Sequence, residues 1–277
     1  MPIHRHPLLL RSYAFLPHRA LGAAVARMAQ VRSPQPAVQA AISFWAKRGG
    51  IDLAECAGEP WPTLQDFFLR DLAPGARPQG SGLTSPVDGV VVAAESIASD
   101  RMLRIKGRPV GLHRLLGGKT HQLDLAQCVG GTQVTIFLTP DGYHHVHAPC
   151  DGELQVIRWI AGRFFPQNDD ALRHIARVYE RNERATLTFA SPDKRQWHLS
   201  MVAASLVGSI VLDGRDSRGW RTAQATQVAD VVTKGQRLGH FALGSTVVLV
   251  FPRDTVTNLQ VQSGQRVKLG ETLADWV

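Results

Sequence analysis

Phe241-Ala242-Leu243-Gly244-Ser245-Thr246-Val247-Val248-Leu249-Val250-Phe251 is the stretch of this chain that says most about its fold and its chemistry. The apolar run from Val247 to Phe251 predicts a strand buried on both faces. A Gly-Ser step at the entrance of such a strand is a place where a chain could cut itself. Glycine leaves its carbonyl unshielded and tolerates strained backbone angles, so the serine hydroxyl could attack that carbonyl. Gly-Ser alone more often marks an ordinary turn, so other residues have to decide.

Composition predicts an ordered globular protein. The chain has 277 residues, of which 44% are hydrophobic and 19% are charged. This length suits one large domain or a core with an appendage. The formal net charge of +8 favours an anionic partner, which could be nucleic acid, an acidic substrate or an anionic membrane surface.

The three cysteines and the apolar segments further limit the class of protein and its cellular compartment. Cys56, Cys128 and Cys150 are odd in number and lack CxxC spacing, which argues against a disulfide framework or a zinc knuckle and suits a reducing compartment. No apolar run reaches the ~20 residues of a membrane span. Arg11 interrupts the first leucine run after three residues, which also argues against a signal peptide.

The first 50 residues contain no Asp or Glu and carry arginines among Leu, Ala, Val and Phe. Prolines divide this region into short helices, and a basic, apolar helical segment is typical of a membrane-surface binder. An ordinary helical cap on the core is the alternative. The pattern of residues 63–71 predicts another short helix, and the Gly- and Pro-rich composition of residues 72–84 predicts a linker. We therefore expect a basic helical region over 1–75 and a core over 76–277.

From residue 85 onwards, short apolar runs alternate with turn residues, which predicts a β-rich core and an α+β fold class. The predicted strands are Gly89–Ala93, Thr132–Leu138, Leu154–Ile160, Ala185–Phe189, Trp197–Ala203, Gly208–Leu212 and Thr246–Phe251. One helix is predicted around Asp169–Tyr179.

The core also carries a faint internal duplication. Ser85-Pro86-Val87-Asp88-Gly89 is echoed by Ala148-Pro149-Cys150-Asp151-Gly152, and residues 234–239 are echoed by residues 263–270. Paired turns of this kind predict β-sandwich elements like those of biotinyl and lipoyl carriers. Those carriers need an exposed lysine at a hairpin tip, which neither repeat offers.

Tyr143-His144-His145-Val146-His147-Ala148-Pro149 concentrates three histidines within four residues. Histidine transfers protons near neutral pH, and a histidine cluster also binds zinc. In a regular strand His145 and His147 share one face while His144 points away. Each histidine taken alone also fits a structural role. Asp88 and Asp151 both precede glycine, and Asp-Gly is a common turn signal.

Taken together, these segments resemble phosphatidylserine decarboxylases of the pyruvoyl-dependent, prokaryotic type. The resemblance runs from about Ile51 to the C-terminus, and the first 50 residues share only its basic, helical character. The segments that carry it, in order, are Phe67-Phe68-Leu69-Arg70, Ser85–Gly89, Ile105-Lys106-Gly107, Tyr143–Pro149, Arg181-Asn182-Glu183-Arg184, Val207-Gly208-Ser209-Ile210, Lys234-Gly235 and Leu243-Gly244-Ser245-Thr246.

The resemblance implies that the chain processes itself. Asp88, His147 and Ser245 would form a charge relay in which Asp88 orients His147 and His147 takes the proton of Ser245. Ser245 would attack the carbonyl of Gly244, and the resulting ester would be eliminated to dehydroalanine. Hydrolysis would release ammonia and leave a covalent pyruvoyl group. The products would be a β chain, 1–244, and an α chain, 245–277, held together as a heterodimer or a higher oligomer.

The resemblance also implies the reaction that follows. The pyruvoyl ketone derived from Ser245 would form a Schiff base with phosphatidylserine and accept the electrons left by carbon dioxide. His144 would then protonate the carbanion to give phosphatidylethanolamine. Phosphatidylserine and an anionic membrane surface are the expected partners, at the cytoplasmic side of the cell membrane, with no nucleic acid and no metal. His145 stands where many relatives have arginine, which puts a phosphate contact there in doubt.

Three other functions stay open on the residues alone. A metal-dependent hydrolase built on His144, His145 and His147 predicts bound zinc and an intact chain. A carrier module predicts an uncut chain with a modified lysine. A nucleic-acid binder is suggested by charge only, since the aromatic content is 7% and no nucleic-acid motif occurs. A fourth alternative keeps the decarboxylation and takes a soluble amino acid as substrate.

Overall fold

A computed structural model describes residues 18–117, 125–205, 210–215, 225–242 and 245–277. The first seventeen residues, and with them the start of the basic segment, lie outside these ranges. The helices are α1 (His18–Ala29), α2 (Gln35–Gly49), α3 (Leu64–Phe68), α4 (Leu112–Leu115), α5 (Asp169–His174) and α6 (Val178–Arg181), with a 3-10 turn at Leu53–Glu55.

An antiparallel sheet of eight strands forms the centre of the molecule, in the order β13-β9-β10-β11-β15-β7-β4-β17. β15 lies between β11 and β7, and all seven of its residues are buried. The strands are β4 (Gly89–Ser96), β7 (Thr132–Leu138), β9 (Gly152–Ile160), β10 (Arg184–Ala190), β11 (Gln196–Ala203), β13 (Thr226–Val232), β15 (Ser245–Phe251) and β17 (Arg266–Val267).

Smaller sheets surround this one. β12 (Ile210–Leu212), β14 (Arg237–Phe241) and β8 (His145–His147) form one sheet, and β16 (Val256–Thr257), β18 (Thr272–Trp276) and β3 (Leu83–Thr84) form another. Two hairpin-like pairs complete the strands: β1 (Cys56–Ala57) with β2 (Asp71–Leu72), and β5 (Met102–Ile105) with β6 (Arg108–Gly111).

Both faces of β15 are covered, which explains why its sequence is apolar without alternation. Val247 and Leu249 lie in one core together with Val146 of β8 and Phe241 of β14. Val248 lies in a second core on the opposite face. Side chains alternate along a strand, so the side chain of Ser245 lies on the same face as that of Val247, towards the sheet that carries the histidines.

The α+β class and the β-rich core are confirmed. The predicted strand at Thr132–Leu138 matches β7 at both ends, and Thr63 caps α3 by accepting a hydrogen bond from the amide of Asp66 at 2.9 Å. The single helix predicted at Asp169–Tyr179 is wrong, because the chain forms two short helices. Arg177, with φ of 57°, turns the backbone between them.

The duplication read from the sequence has a counterpart in the hydrogen bonds. The amide of His147 donates to the carbonyl of Pro86 at 2.9 Å, and the amide of Thr84 donates to the carbonyl of Pro149 at 3.0 Å. Thr84 and His147 each precede one copy of the repeated segment. The exchange is reciprocal, so a local two-fold axis relates the two copies. Each copy leads directly into a strand, β4 or β9, as predicted.

The repeated turns share local structure. The predicted echo of residues 234–239 in residues 263–270 holds for the backbone, because Gln236 accepts the amide of Thr233 and Gln265 accepts the amide of Gln262, and a strand follows each glutamine. The two aspartates bind further amides: an oxygen of Asp151 accepts the amide of Lys234 at 2.7 Å, and the equivalent oxygen of Asp88 accepts the amide of Leu269 at 2.7 Å. Relative to the aspartates, Leu269 therefore takes the place of Lys234.

Helix α2 of the basic region packs against the following segment through a small apolar cluster. Val38, Ile42 and Ala46 of α2 are buried in it with Trp61 and Phe67. Within the described residues, no helix is both long enough and apolar enough to cross a bilayer.

Candidate active site

Ser245 begins the central strand, and its side chain is fully buried. It pairs in register with Ala203 of β11 and Leu138 of β7, and it is 0% exposed. Its Oγ contacts no donor or acceptor among the described residues. A buried hydroxyl without a partner is energetically costly, so it needs a functional or structural explanation. The preceding residue of the predicted cleavage site, Gly244, lies outside the described residues.

His144 is buried with one ring nitrogen unpartnered. Nδ1 lies 3.0 Å from the carbonyl oxygen of Gly142, which only accepts, so Nδ1 carries the proton and Nε2 is a free acceptor. Burial lowers the pKa of His144 to about 3, and the charge of Arg70 acts in the same direction. The ring of Phe68 lies over the imidazole with 3.9 Å between centroids. His144 is therefore a neutral, rigidly held proton acceptor.

Arg70 supports this arrangement. Its guanidinium is buried and donates to the carbonyl oxygens of Asp141 at 2.9 Å and Gly142 at 3.2 Å. The carbonyl oxygen of Gly142 thus accepts hydrogen bonds from both Arg70 and His144. Sequence reasoning placed Arg70 in a family segment but assigned it no role in the site. No local pattern signals a contact that spans 72 residues.

His147 has the same tautomer as His144 and a different environment. Its Nδ1 donates to the carbonyl oxygen of Gly235 at 2.7 Å, and the hydroxyl of Tyr143 donates to its Nε2 at 3.2 Å. Burial lowers the pKa of His147, while burial raises the pKa of Tyr143. At neutral pH His147 is thus a neutral base whose accepting nitrogen is occupied by a neutral phenol.

His145 carries its proton on the other nitrogen. Its Nε2 donates to the carbonyl oxygen of Leu69 at 3.0 Å, and Nδ1 has no partner. Val146 points into the core, so alternation places His145 and His147 on the opposite face of β8, as predicted. The rings of Tyr143 and His145 stack there at 4.9 Å. Among the described residues, no group of three or more His, Cys, Asp or Glu side chains is placed to hold a metal ion.

Asp88 is held by a salt bridge and by a backbone amide. Arg77 Nη2 lies 3.0 Å from its Oδ2, and Arg77 also binds Glu55 at 2.8 Å. The other oxygen accepts the amide of Leu269. In the described part of the chain no hydrogen bond joins Asp88 to His147. The charge of Asp88 nevertheless acts on His147, where it favours the protonated form.

A cavity of about 410 Å³ opens beside these residues. Asp88, Gly142 and Tyr143 line one side of it, and Gly49 and Gly50 at the end of α2 line another. The cavity therefore reaches from the basic helical region to the segment that carries the histidines.

Comparisons with known proteins agree with these features. A family model described as phosphatidylserine decarboxylase matches residues 64–275. A relative from Acidovorax ebreus, named phosphatidylserine decarboxylase proenzyme, is 36% identical over 271 residues, which cover 94% of each chain. Relatives with the same name from Polaromonas naphthalenivorans and an Anaeromyxobacter species are 35% and 32% identical; they cover 77% and 96% of this chain, and 76% and 97% of their own.

Proposed function

This chain belongs to the phosphatidylserine decarboxylase family, and from that premise we propose that it cuts itself between Gly244 and Ser245 and then decarboxylates phosphatidylserine to phosphatidylethanolamine. The observation that carries the proposal is the hydroxyl of Ser245. It is buried, it has no hydrogen-bond partner in the part of the chain that the structure describes, and it lies at the entrance of the central strand. An ordinary Gly-Ser turn would instead leave that hydroxyl in water or in a hydrogen bond.

The self-cleavage uses Asp88, His147 and Ser245 as its charge relay, in which Asp88 acts on His147 through its charge and not through a hydrogen bond. Because the carbonyl of Gly235 holds the proton on Nδ1 of His147, Nε2 is the atom that takes the proton of Ser245. For this transfer Nε2 has to exchange the hydroxyl of Tyr143 for that of Ser245. The negative charge of Asp88 stabilises the imidazolium that forms.

A pyruvoyl group in place of Ser245 would supply the electron sink for decarboxylation. The position of Ser245 fits such a group, since its Oγ is a buried polar atom without a hydrogen-bond partner among the described residues. His144 moves a proton at Nε2. Nε2 is unprotonated in this structure, so it first has to accept a proton. The ammonium group of the incoming substrate has to lose one and can supply it. Nε2 then donates a proton to the substrate carbon.

The basic helices bring the enzyme to the cytoplasmic surface of the membrane. Arg27 and Arg32 near the end of α1 and Lys47 and Arg48 at the end of α2 are exposed, and each contributes about 1 kcal/mol beside anionic headgroups. Phe44 on α2 is also exposed, at 69%. The cavity that begins at the end of α2 gives a phosphoserine headgroup a site that extends to Gly142 and Tyr143, which precede His144 in the chain.

The proposal includes three finer points of organisation. The β chain 1–244 and the α chain 245–277 stay together after cleavage, because the α chain supplies β15 to the central sheet. Residues 1–75 form the membrane-associating region and residues 76–277 form the catalytic core. The two-fold related copies around Asp88 and Asp151 belong to a β-sandwich of the biotinyl and lipoyl carrier kind, which the reciprocal hydrogen bonds support.

Intact-mass analysis of the purified protein tests the proposal. We expect two chains, with the smaller one lacking a free amino terminus, and decarboxylation of phosphatidylserine in mixed micelles. Ser245→Ala should leave one full-length, inactive chain. His144→Ala should be cut normally and turn over no substrate. An unbroken chain with full activity contradicts the mechanism, and loss of cleavage in His144→Ala overturns the division of roles between the two histidines.

A further inference from the structure

The ring of His147 is oriented by a backbone carbonyl and not by a carboxylate. Gly235 accepts Nδ1–H at 2.7 Å, and its own amide donates to the carbonyl of Ala148 at 2.8 Å. Gly235 has φ of 81°, which glycine adopts without strain. The position of this one carbonyl therefore decides the tautomer and the direction of the ring.

Asp151 fixes the turn that presents this carbonyl. Its Oδ1 accepts the amide of Lys234, the residue before Gly235, at 2.7 Å. Asp151 and Lys234 are 83 positions apart in the chain. Asp151 follows the histidine segment closely and begins the turn into β9. One exposed carboxylate therefore ties the segment of His147 to the turn that holds the ring.

Comparison of the two copies related by the two-fold axis distinguishes Asp151 from an ordinary turn residue. Asp88 makes the equivalent bond to Leu269, and the residue equivalent to His147 in that half is Thr84, which has no imidazole to orient. Asp88 is also held by Arg77, whereas in the other copy the turn supports a ring nitrogen. The same carboxylate-to-amide bond thus lies beside a threonine in one half and beside a titratable histidine in the other.

We propose that Asp151 is a positioning residue for self-cleavage, acting through Lys234 and Gly235 to hold the His147 ring with its proton on Nδ1. This inference rests on the proposed self-cleavage and adds to it a residue that the Asp-Gly turn signal had assigned to structure alone. An amide oxygen accepts the same bond as a carboxylate, so the proposal requires an acceptor at this position and no charge.

Nuclear magnetic resonance of the uncut precursor tests the geometry without any turnover. In Ser245→Ala protein with ¹⁵N-labelled histidine, His147 should show a protonated Nδ1 and an unprotonated Nε2. Adding Asp151→Ala should mix the two tautomers, and adding Asp151→Asn should leave the pattern unchanged. A protonated Nε2 in the parent protein, or an unchanged pattern with Asp151→Ala, overturns the proposal.

The rate of cleavage gives the second readout. Asp151→Ala should slow self-cleavage about tenfold, as expected for the loss of one hydrogen bond, and Asp151→Asn should restore it. The acid limb of the pH profile should move to lower pH in Asp151→Ala, because the Gly235 carbonyl favours protonated His147. Tyr143, Arg237, Asp213 and Asp88 also act on His147 and stay in place in both variants.

Asp100→Ala is the matched control, since Asp100 is also exposed and accepts one backbone amide, that of Met102, at 2.9 Å. It should be cut at the wild-type rate. If Asp151→Ala does not fold, Gly235→Ala moves the same carbonyl, because alanine is strained at the φ of 81° that Gly235 adopts, and it should slow cleavage too. Loss of cleavage in Asp151→Asn, or normal cleavage in the variant that folds, overturns the proposal. Failure of the wild-type chain to cut itself would instead refute the proposed function.

Discussion

Removing the hydroxyl of Ser245 should make the uncut precursor more stable. Ser245 is 0% exposed, and its hydroxyl has no hydrogen-bond partner within the described ranges; such a group costs about 1 to 3 kcal/mol of folding free energy. Replacement by alanine removes one oxygen and leaves only a small void. We therefore expect Ser245→Ala to raise the free energy of unfolding by about 1 kcal/mol or more. Most substitutions at buried positions have the opposite sign.

Ser200 provides the matched control on the neighbouring strand β11. It is also 0% exposed, but its Oγ forms a hydrogen bond of 2.7 Å with Thr186 Oγ1. Ser200→Ala leaves the Thr186 hydroxyl unpaired and should lower the free energy of unfolding by about 1 to 3 kcal/mol. The two chemically identical substitutions are thus expected to shift stability in opposite directions.

The assay is urea unfolding followed by tryptophan fluorescence, in a His147→Gln background that retains Ser245. A single full-length mass is confirmed first, so that cut and uncut chains are not compared. The urea midpoint should rise with Ser245→Ala and fall with Ser200→Ala, at equal slopes. If Ser245→Ala lowers the midpoint as much as Ser200→Ala does, the hydroxyl has a partner and the argument for its reactivity fails.

Two further predictions concern acid stability and the membrane. Burial lowers the pKa of His198 to about 3 in the folded state, so the free energy of unfolding should decrease as pH falls below the ordinary histidine pKa of 6.5. Between pH 7 and pH 5, the Ser245→Ala precursor with His198→Gln should lose about 2 kcal/mol less of this free energy than the precursor without it, as measured by urea unfolding. An equal loss contradicts a buried neutral imidazole at His198. Phe44→Asp should weaken binding to phosphatidylserine vesicles about tenfold in a sedimentation assay with cleavage unchanged, whereas Val231→Asp, at an equally exposed apolar position on β13, should bind normally; equal weakening by both refutes the role of α2.

The central strands were predictable from the sequence for a common reason. β15, β7 and β11 are buried on both faces, so their apolar runs stand out without any knowledge of their neighbours. β13 was missed because it lies at an edge and most of its residues are exposed or half-buried. The hairpin of β5 and β6 mixes arginine and proline with apolar residues, and it was missed as well.

The supports of the site were not predictable, because they are contacts of the backbone. The carbonyls of Gly142 and Gly235 set the tautomers of His144 and His147, and a carbonyl has no sequence signature. Asp151 looked like a turn residue because its bond to Lys234 depends on a two-fold packing of distant segments. Residue types predicted the candidate reactive groups, while the fold decides which nitrogen of each ring carries the proton.

The central place of β15 changes the molecularity of folding. Both of its neighbours, β11 and β7, precede residue 244, and β18 also pairs with a strand from that part of the chain. If the chain is cut as proposed, a sheet that assembled within one polypeptide becomes an interface between two. Refolding of the mature protein would then be second order and would weaken on dilution. The precursor is thus the only form in which the central strand is tethered to its place.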